Sequence, residues 1–347
     1  VIDSVSGGYI GAVPGSGAGG GNQQCLYSVE AGSLGSHGTN VVDVLCDIAP
    51  NSRVFGYLAS DAADLKTTID NLRLSTTVAG ITNNTFDIIL ITLDMGVNSS
   101  AGDGTGVGLA AANDFYGAIT AARNAGIVVI ASAGNNGDGT INAGDNNVRY
   151  GSFSLTNGQS ANVNITTVAG SRVNINWSAW SSAADITASL TGTGAKPARG
   201  SGTPGHSFAA VAGAQTLSVT NNSGGTLTIQ VQVTGAGSNI TAVSGAVAVF
   251  ATTAGTLARP ADSPDVIAVG AVCANQAMRY PRLADSSVGP AFDAGGVIPA
   301  ALPTSGSAVK PDVVAPSHVS TSLLAAGNCN TPVTVGAANI ADPYAIG

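Results

Sequence analysis

Three side chains in this sequence have the types and the settings from which a proton-transfer site is built. His37 stands in Ser36-His37-Gly38-Thr39, where a polar loop runs into the apolar, helix-patterned stretch 40–50. Asp3 ends the short apolar run Val1-Ile2-Asp3, and Asn135 closes Ser132-Ala133-Gly134-Asn135, a turn that follows the apolar run 127–131. An imidazole exchanges a proton near neutral pH, a carboxylate can hold an imidazole in one tautomer, and a carboxamide N–H can meet a developing oxyanion. Taken singly, each residue also has a plain structural use. Asp3 can cap a turn, His37 can simply begin a helix, and Asn135 can occupy a turn that needs positive φ. To act together they need a scaffold that brings an early strand end, a loop–helix junction and a later turn to one place.

The periodicity supplies such a scaffold. Up to about residue 145 strand and helix patterns alternate: a strand over 53–58, a helix over 61–75, a near-continuous apolar strand over 86–93, a helix over 108–125 and a buried strand over 127–131. Apolar strands joined by helices of this length predict βαβ units and a parallel sheet covered on both faces. From about 148 to 257 the rhythm changes to short alternating strands, at 152–155, 161–167, 172–177, 186–190, 216–220 and 227–233. Asn-Gly, Gly-Ser and Ser-Gly-Gly turns separate them, which is the pattern of an antiparallel β-sandwich. Apolar strands of the first kind return at 264–272 and 310–316. The expected fold class is therefore α/β, a doubly wound parallel sheet with an inserted antiparallel β-sandwich. Its divisions are 1–147, the insert 148–258, and 259–347 as the second part of the α/β domain.

Composition narrows the function classes. The chain of 347 residues is long enough for a large core, yet only 9% of it is charged. Lysine occurs only at 66, 196 and 310, Glu30 is the one glutamate, and the formal net charge is −8. No basic stripe exists to neutralise phosphates, so nucleic acid is excluded as a partner. No apolar run is long enough to predict a membrane-spanning helix. Val1 opens inside a strand pattern without a basic leader, as in a mature or partial chain. Cys25, Cys46, Cys273 and Cys329 lack the close spacing of a zinc or thioredoxin-like motif, and their even number suits a secreted protein with up to two disulfides. Buried free thiols are the alternative. Six Asn-x-Ser/Thr sequons begin at Asn83, Asn98, Asn164, Asn176, Asn221 and Asn239.

The motifs have a family resemblance. Val1-Ile2-Asp3-Ser4, His37-Gly38-Thr39 and Ser132-Ala133-Gly134-Asn135 resemble, in this order, the aspartate, histidine and oxyanion motifs of the subtilisin-like serine peptidases, or subtilases. Asp47-Ile48-Ala49-Pro50, Ile267-Ala268-Val269-Gly270-Ala271 and Lys310-Pro311-Asp312-Val313-Val314-Ala315-Pro316 are similar to further signatures of that family. Val5 and Ser6 standing before Gly7 are a small departure from the aspartate motif. The likeness covers about 1–145 and 259–347. It implies the catalytic set Asp3, His37 and Asn135: His37 as general base and then acid, Asp3 as its orienting carboxylate, Asn135 as oxyanion donor. It also implies disulfides Cys25–Cys46 and Cys273–Cys329, one of three connectivities. Peptide substrate would lie along edges near 93–97 and 132–135. The loop 138–145 offers acidic and carbonyl oxygens suited to a structural calcium ion, although such Asp/Asn/Gly loops are commonly just turns. No other cofactor is implied.

The nucleophile is the gap in this resemblance. The family places its serine in a Gly-Thr-Ser-x-Ala motif about 30 residues beyond the Asp-Val-Val-Ala-Pro strand, which here is where Gly347 stands. A substitute, Gly205-His206-Ser207-Phe208-Ala209-Ala210, falls inside the β-rich insert and reads better as a sandwich strand than as the source of a nucleophile at Ser207. His206 and His318 read as surface residues. The expectation is a secreted serine endopeptidase acting on polypeptides, with 1–347 inactive alone because it lacks its serine. The insert would serve self-association or glycan contact. The alternative is a catalytically inactive, adhesive or self-assembling extracellular protein on the same scaffold.

Overall fold

The computed structural model describes residues 1–4, 26–29, 36–49, 52–74, 77–78, 81–82, 86–95, 104–135, 148–178, 186–199, 205–235, 237–245, 248–249, 257–273, 283, 286–287, 289 and 310–317. In chain order the first part comprises β1 (Ile2–Ser4), β2 (Leu26–Val29), α1 (Ser36–Ile48), β3 (Val54–Ala59), α2 (Ala62–Leu74), the two-residue strands β4 (Thr77–Val78) and β5 (Ile81–Thr82), β6 (Ile88–Ile91), α3 (Phe115–Asn124) and β7 (Val128–Ser132). Ten strands follow: β8 (Val148–Leu155), β9 (Ser160–Thr167), β10 (Arg172–Trp177), β11 (Ile186–Leu190), β12 (Gly194–Arg199), β13 (Gly205–Ala209), β14 (Gly213–Asn221), β15 (Leu227–Thr234), β16 (Asn239–Gly245) and β17 (Ala248–Val249). The chain then returns through β18 (Ile267–Cys273) and β19 (Val313–Ser317).

Six strands form a parallel sheet in the order β19-β18-β7-β6-β1-β3, and β2 extends it at the β3 edge to seven. Helices lie on both faces. Ala62, Leu65, Thr68, Ile69 and Leu72 fall on one stripe of α2, three or four residues apart, and are buried. With Phe115, Tyr116 and Ile119 of α3 they pack on Ile2, Ile89, Ile91, Val129 and Ala268. On the opposite face, Val42 of α1 packs with Val54, against partly buried Val1, Cys46 and Leu58. Caps fix where the helices start. Asp61 accepts from the Asp64 N–H, Asp64 reaches back to the Ser60 N–H, and Asp114 accepts from the Gly117 N–H at 3.0 Å.

The ten middle strands make two five-stranded antiparallel sheets, β13-β10-β15-β8-β17 and β12-β11-β14-β9-β16. Their inner faces interdigitate through Phe153, Val163, Val173, Ile175, Trp177, Leu217, Ile229 and Val231. Along β9 burial alternates residue by residue, as it must where one face of a strand is packed and the other open. The architecture is the expected one, α/β with an antiparallel β-sandwich. Two helix starts and the burial of one histidine differ from the sequence reading. Helix α1 begins at Ser36, so His37 lies in its first turn and not ahead of it. Helix α3 begins at Phe115 and not at 108, because Gly104 and Gly108 take positive φ and Asp114 caps only the later start. His206 is not a surface residue; it is 2% exposed, on the core side of β13 against Trp177 and Phe208.

Candidate active site

Alternation along β1 decides which way Asp3 points. Ile2 enters the core shared with α2 and α3, so Val1 and Asp3 face the α1 side. Asp3 is 1% exposed there, and the first turn of α1 sets His37 over it. His37 Nδ1 lies 3.0 Å from Asp3 Oδ1 and 3.1 Å from Oδ2. A carboxylate only accepts, so Nδ1 is the donor in this pair, and the ring's proton exchange falls to Nε2. The imidazole is held by more than this bond. Asn40, Val41 and Val42, in the turn below it, are buried, and Cys46 one turn further is disulfide-bonded. Cys25 and Cys329, named in the expected pairings, lie outside the described residues.

Strand register locates the third residue. Ile2 pairs with Ile91, Ile91 with Ala131, and Ala131 with Ala268. One step on, Asp3, Thr92, Ser132 and Val269 form a row across the same face. Asp3 and Ser132 are thus two strand spacings apart, about 10 Å. Asn135 leaves β7 three residues later, at the same carboxyl edge of the sheet. The turn that carries it is clamped. The Ala133 N–H donates to Val269 O (2.8 Å), the Ala258 N–H to Ala133 O (2.7 Å) and the Ser287 N–H to Gly134 O (2.8 Å). Gly134 has φ +106°, and a Cβ there would stand 2.6 Å from Ala258 Cβ and 2.9 Å from Ser287 Oγ. Only glycine fits that backbone.

A second tie joins the same segment to the exit of β6. The Arg259 N–H donates to Asp94 Oδ1 (3.1 Å), and the Met95 N–H donates to Arg259 O (3.0 Å). The buried Arg259 guanidinium pairs with Asp262 (3.3 Å) and donates to Leu257 O. Asp262 in turn accepts from Tyr116 Oη at 2.8 Å and from the Gly104 N–H. Residues 257–262 therefore lace the exits of β6 and β7 together, setting the gap between the two edges that border the site. Sequence reasoning missed Ala258, Arg259, Asp262 and Ser287. The one local signal was Gly134, a glycine after an apolar strand; its partners come from across the insert and leave no pattern.

Among the described residues α1 is the one helix packed on this face of the sheet, and beyond it the face is apolar and partly exposed. Ile88, Val128 and Ile267 are 57%, 42% and 41% exposed. A trough of about 730 Å³ runs beside α1, lined among others by Leu45, Val54, Leu90, Ile130, Ser132 and Val269. Thr92, Ser132 and Val269, which share a row of the sheet with Asp3, line it at the carboxyl edge.

The remaining candidates are dispersed. Ser207 sits in β13, its Oγ accepting from Arg172 Nε and Nη2 at 3.2 and 3.0 Å, among sandwich strands and not beside His37. The loop 138–145, His318 and positions 96–97 lie outside the described residues. Among the described residues no group of three or more His, Cys, Asp or Glu is placed to hold a metal. No described helix is long and apolar enough to cross a membrane. No protein-family model matches the chain, and no curated protein sequence matches it.

Proposed function

We propose that this chain belongs to a secreted, subtilase-like serine endopeptidase, with Asp3, His37 and Asn135 as three parts of its catalytic set. The observation that carries the reading is the buried Asp3 carboxylate paired with Nδ1 of a helix-terminal imidazole. A scaffold without chemistry has no physical need for that pair, because a buried carboxylate is costly unless it is put to use or well compensated. The disulfide at Cys46 agrees with an extracellular setting.

The nucleophile in this reading is a serine hydroxyl from a segment outside the described residues. The open face supports that arrangement. Parallel sheets bury both faces, and β6, β7 and β18 together span about 10 Å, the width of one helix. A helix seated in the trough would lie on the face of the sheet that also carries Asp3. His37 Nε2 would then take the serine proton as the hydroxyl attacks the peptide carbonyl, and return it to the leaving amine. Asp3 would hold the tautomer and stabilise the imidazolium. Asn135 would donate its carboxamide N–H to the tetrahedral oxyanion, helped by a turn that its clamp has already ordered.

The test is hydrolysis of a fluorescently quenched protein substrate by the natural full-length protein. Cleavage that a serine-directed fluorophosphonate blocks, and that His37→Ala abolishes, supports the reading. Folded full-length protein that cleaves nothing, or cleavage indifferent to His37, overturns it in favour of a structural or adhesive role.

A further inference from the structure

Four of the six sequons start at described residues, and the fold treats them very differently. Asn176 is 0% exposed, and the Oγ of its partner hydroxyl, Ser178, accepts from the Thr228 N–H at 2.9 Å. Asn221 is also 0% exposed, and its Nδ2 donates to both Leu155 O (2.7 Å) and Gly225 O (2.9 Å), bracing the turn between β14 and β15. Asn239 is half-buried and gives its Nδ2 to Gly237 O at 3.2 Å. Asn164 stands apart. It lies on β9 with its side chain on the outer face of the second sandwich sheet, and both it and Thr166 are exposed. Its Oδ1 accepts from Thr216 Oγ1 (3.2 Å), and its Nδ2 makes no hydrogen bond among the described residues.

We infer that Asn164 is an N-glycan acceptor site and that Asn176 and Asn221 are not. The donor class is a lipid-pyrophosphate-linked oligosaccharide. Nδ2 bonds to the anomeric carbon, the lipid pyrophosphate leaves, and the amide gives up one proton. An N-glycan is bulky and solvated, so it survives in the folded protein only where the acceptor faces water. A glycan on Asn176 or Asn221 would have to displace the packed strands around it, and on Asn221 it would replace one of the two N–H groups that bond Leu155 O and Gly225 O. On Asn164 it rises from a strand flanked by β14 and β16 and covers the open, uncharged face formed with Asn162, Thr216, Ser218 and Thr220. The glycosylated protein then cannot use that face for sheet-to-sheet assembly. This inference does not rest on the peptidase reading.

The experiment expresses the chain behind a secretion leader in a eukaryotic host. The secreted, folded protein is deglycosylated with a glycan-releasing amidase in heavy-oxygen water, which marks each former glycan site as a labelled aspartate, and peptide mass spectrometry locates the label. Label at position 164 in most molecules and none at 176 or 221 is expected, and Asn164→Gln removes that glycan without changing the tryptophan fluorescence. Translation into microsomes gives the same readout of position 164 independently of secreted yield. No label at 164, or label at 176 or 221 in folded protein, overturns the inference.

Discussion

Gly134→Ala tests whether the clamp on the Asn135 turn is as tight as its geometry says. The new methyl would meet Ala258 Cβ at 2.6 Å and Ser287 Oγ at 2.9 Å, on a residue whose φ is +106°. Left-handed backbone costs a non-glycine residue roughly 1–2 kcal/mol, and a methyl forced into packed space about 1–3 kcal/mol more. Reduced freedom of the unfolded chain returns about 0.4–1 kcal/mol. The expected net loss is roughly 2–4 kcal/mol. Gly126 provides the control, with φ +89° and nothing within 4 Å of its Cβ position, so Gly126→Ala carries the backbone term alone, about 1 kcal/mol. The two cores need separate probes, because a single transition cannot be assumed for both. Far-UV circular dichroism of α1–α3 follows the parallel sheet domain, whereas both tryptophans, at 177 and 180, belong to the insert. Urea titration should show Gly134→Ala lowering the helical transition well below that of Gly126→Ala. Equal losses for the two variants, within about 0.5 kcal/mol, would refute the clamp.

Other consequences are as direct. Arg259→Met leaves Asp262 buried without its cation and should cost about 3–5 kcal/mol in the same titration, whereas Tyr116→Phe, which removes one bond to that carboxylate, should cost about 1–3 kcal/mol. Ile229→Ala opens a cavity in the sandwich core and should lower the fluorescence transition by about 2–5 kcal/mol while the helical one stays. Burial alone would raise the Asp70 carboxyl, but hydrogen bonds from Lys66 (2.6 Å) and Arg73 (3.2 Å) outweigh it and hold the group below its ordinary value. Its partly exposed ion pairs, worth roughly 0.2–1 kcal/mol each, then stabilise the fold above the unfolded carboxylate value of about pH 4 and fade as pH falls through the lower folded value. Thermal melts of Asp70→Asn should accordingly fall less on acidification than those of the wild type. Reducing the Cys46 disulfide should cost about 2–4 kcal/mol, read as a lower helical transition with reductant present.

The sequence carried the large-scale plan because each domain buries its strands in its own way. Strands of the parallel sheet read as near-continuous apolar runs, as at 86–93, and sandwich strands alternate, as at 160–167, so the change of architecture near 148 is legible. Helix α2 is legible for the same reason, through the spacing of Leu65, Ile69 and Leu72. The start of α1 was not, because Gly38 and Thr39 are poor helix formers that tertiary packing of Val41 and Val42 nevertheless holds in the helix. Strand β13 was legible as a sandwich strand, but the inward face of His206 was not, since a histidine in Gly205-His206-Ser207 masks the alternation. Within the site, the types of Asp3, His37 and Asn135 were readable, and so was their common edge. The lacing by Ala258, Arg259 and Ser287 was not, because contacts between distant segments follow from topology and impose no local period.

On the proposed reading, Asp3, His37 and Asn135 serve one serine. The rate of covalent labelling by a fluorophosphonate tests it most directly, measured on the natural full-length protein and three variants. One labelled serine, outside the insert, is expected. Labelling should be abolished in His37→Ala, slowed on the order of 10⁴-fold in Asp3→Asn, where the tautomer is no longer enforced, and slowed about 10²–10³-fold in Asn135→Ala. No labelling of folded wild-type protein, labelling at Ser207, or rates that ignore all three substitutions would contradict it.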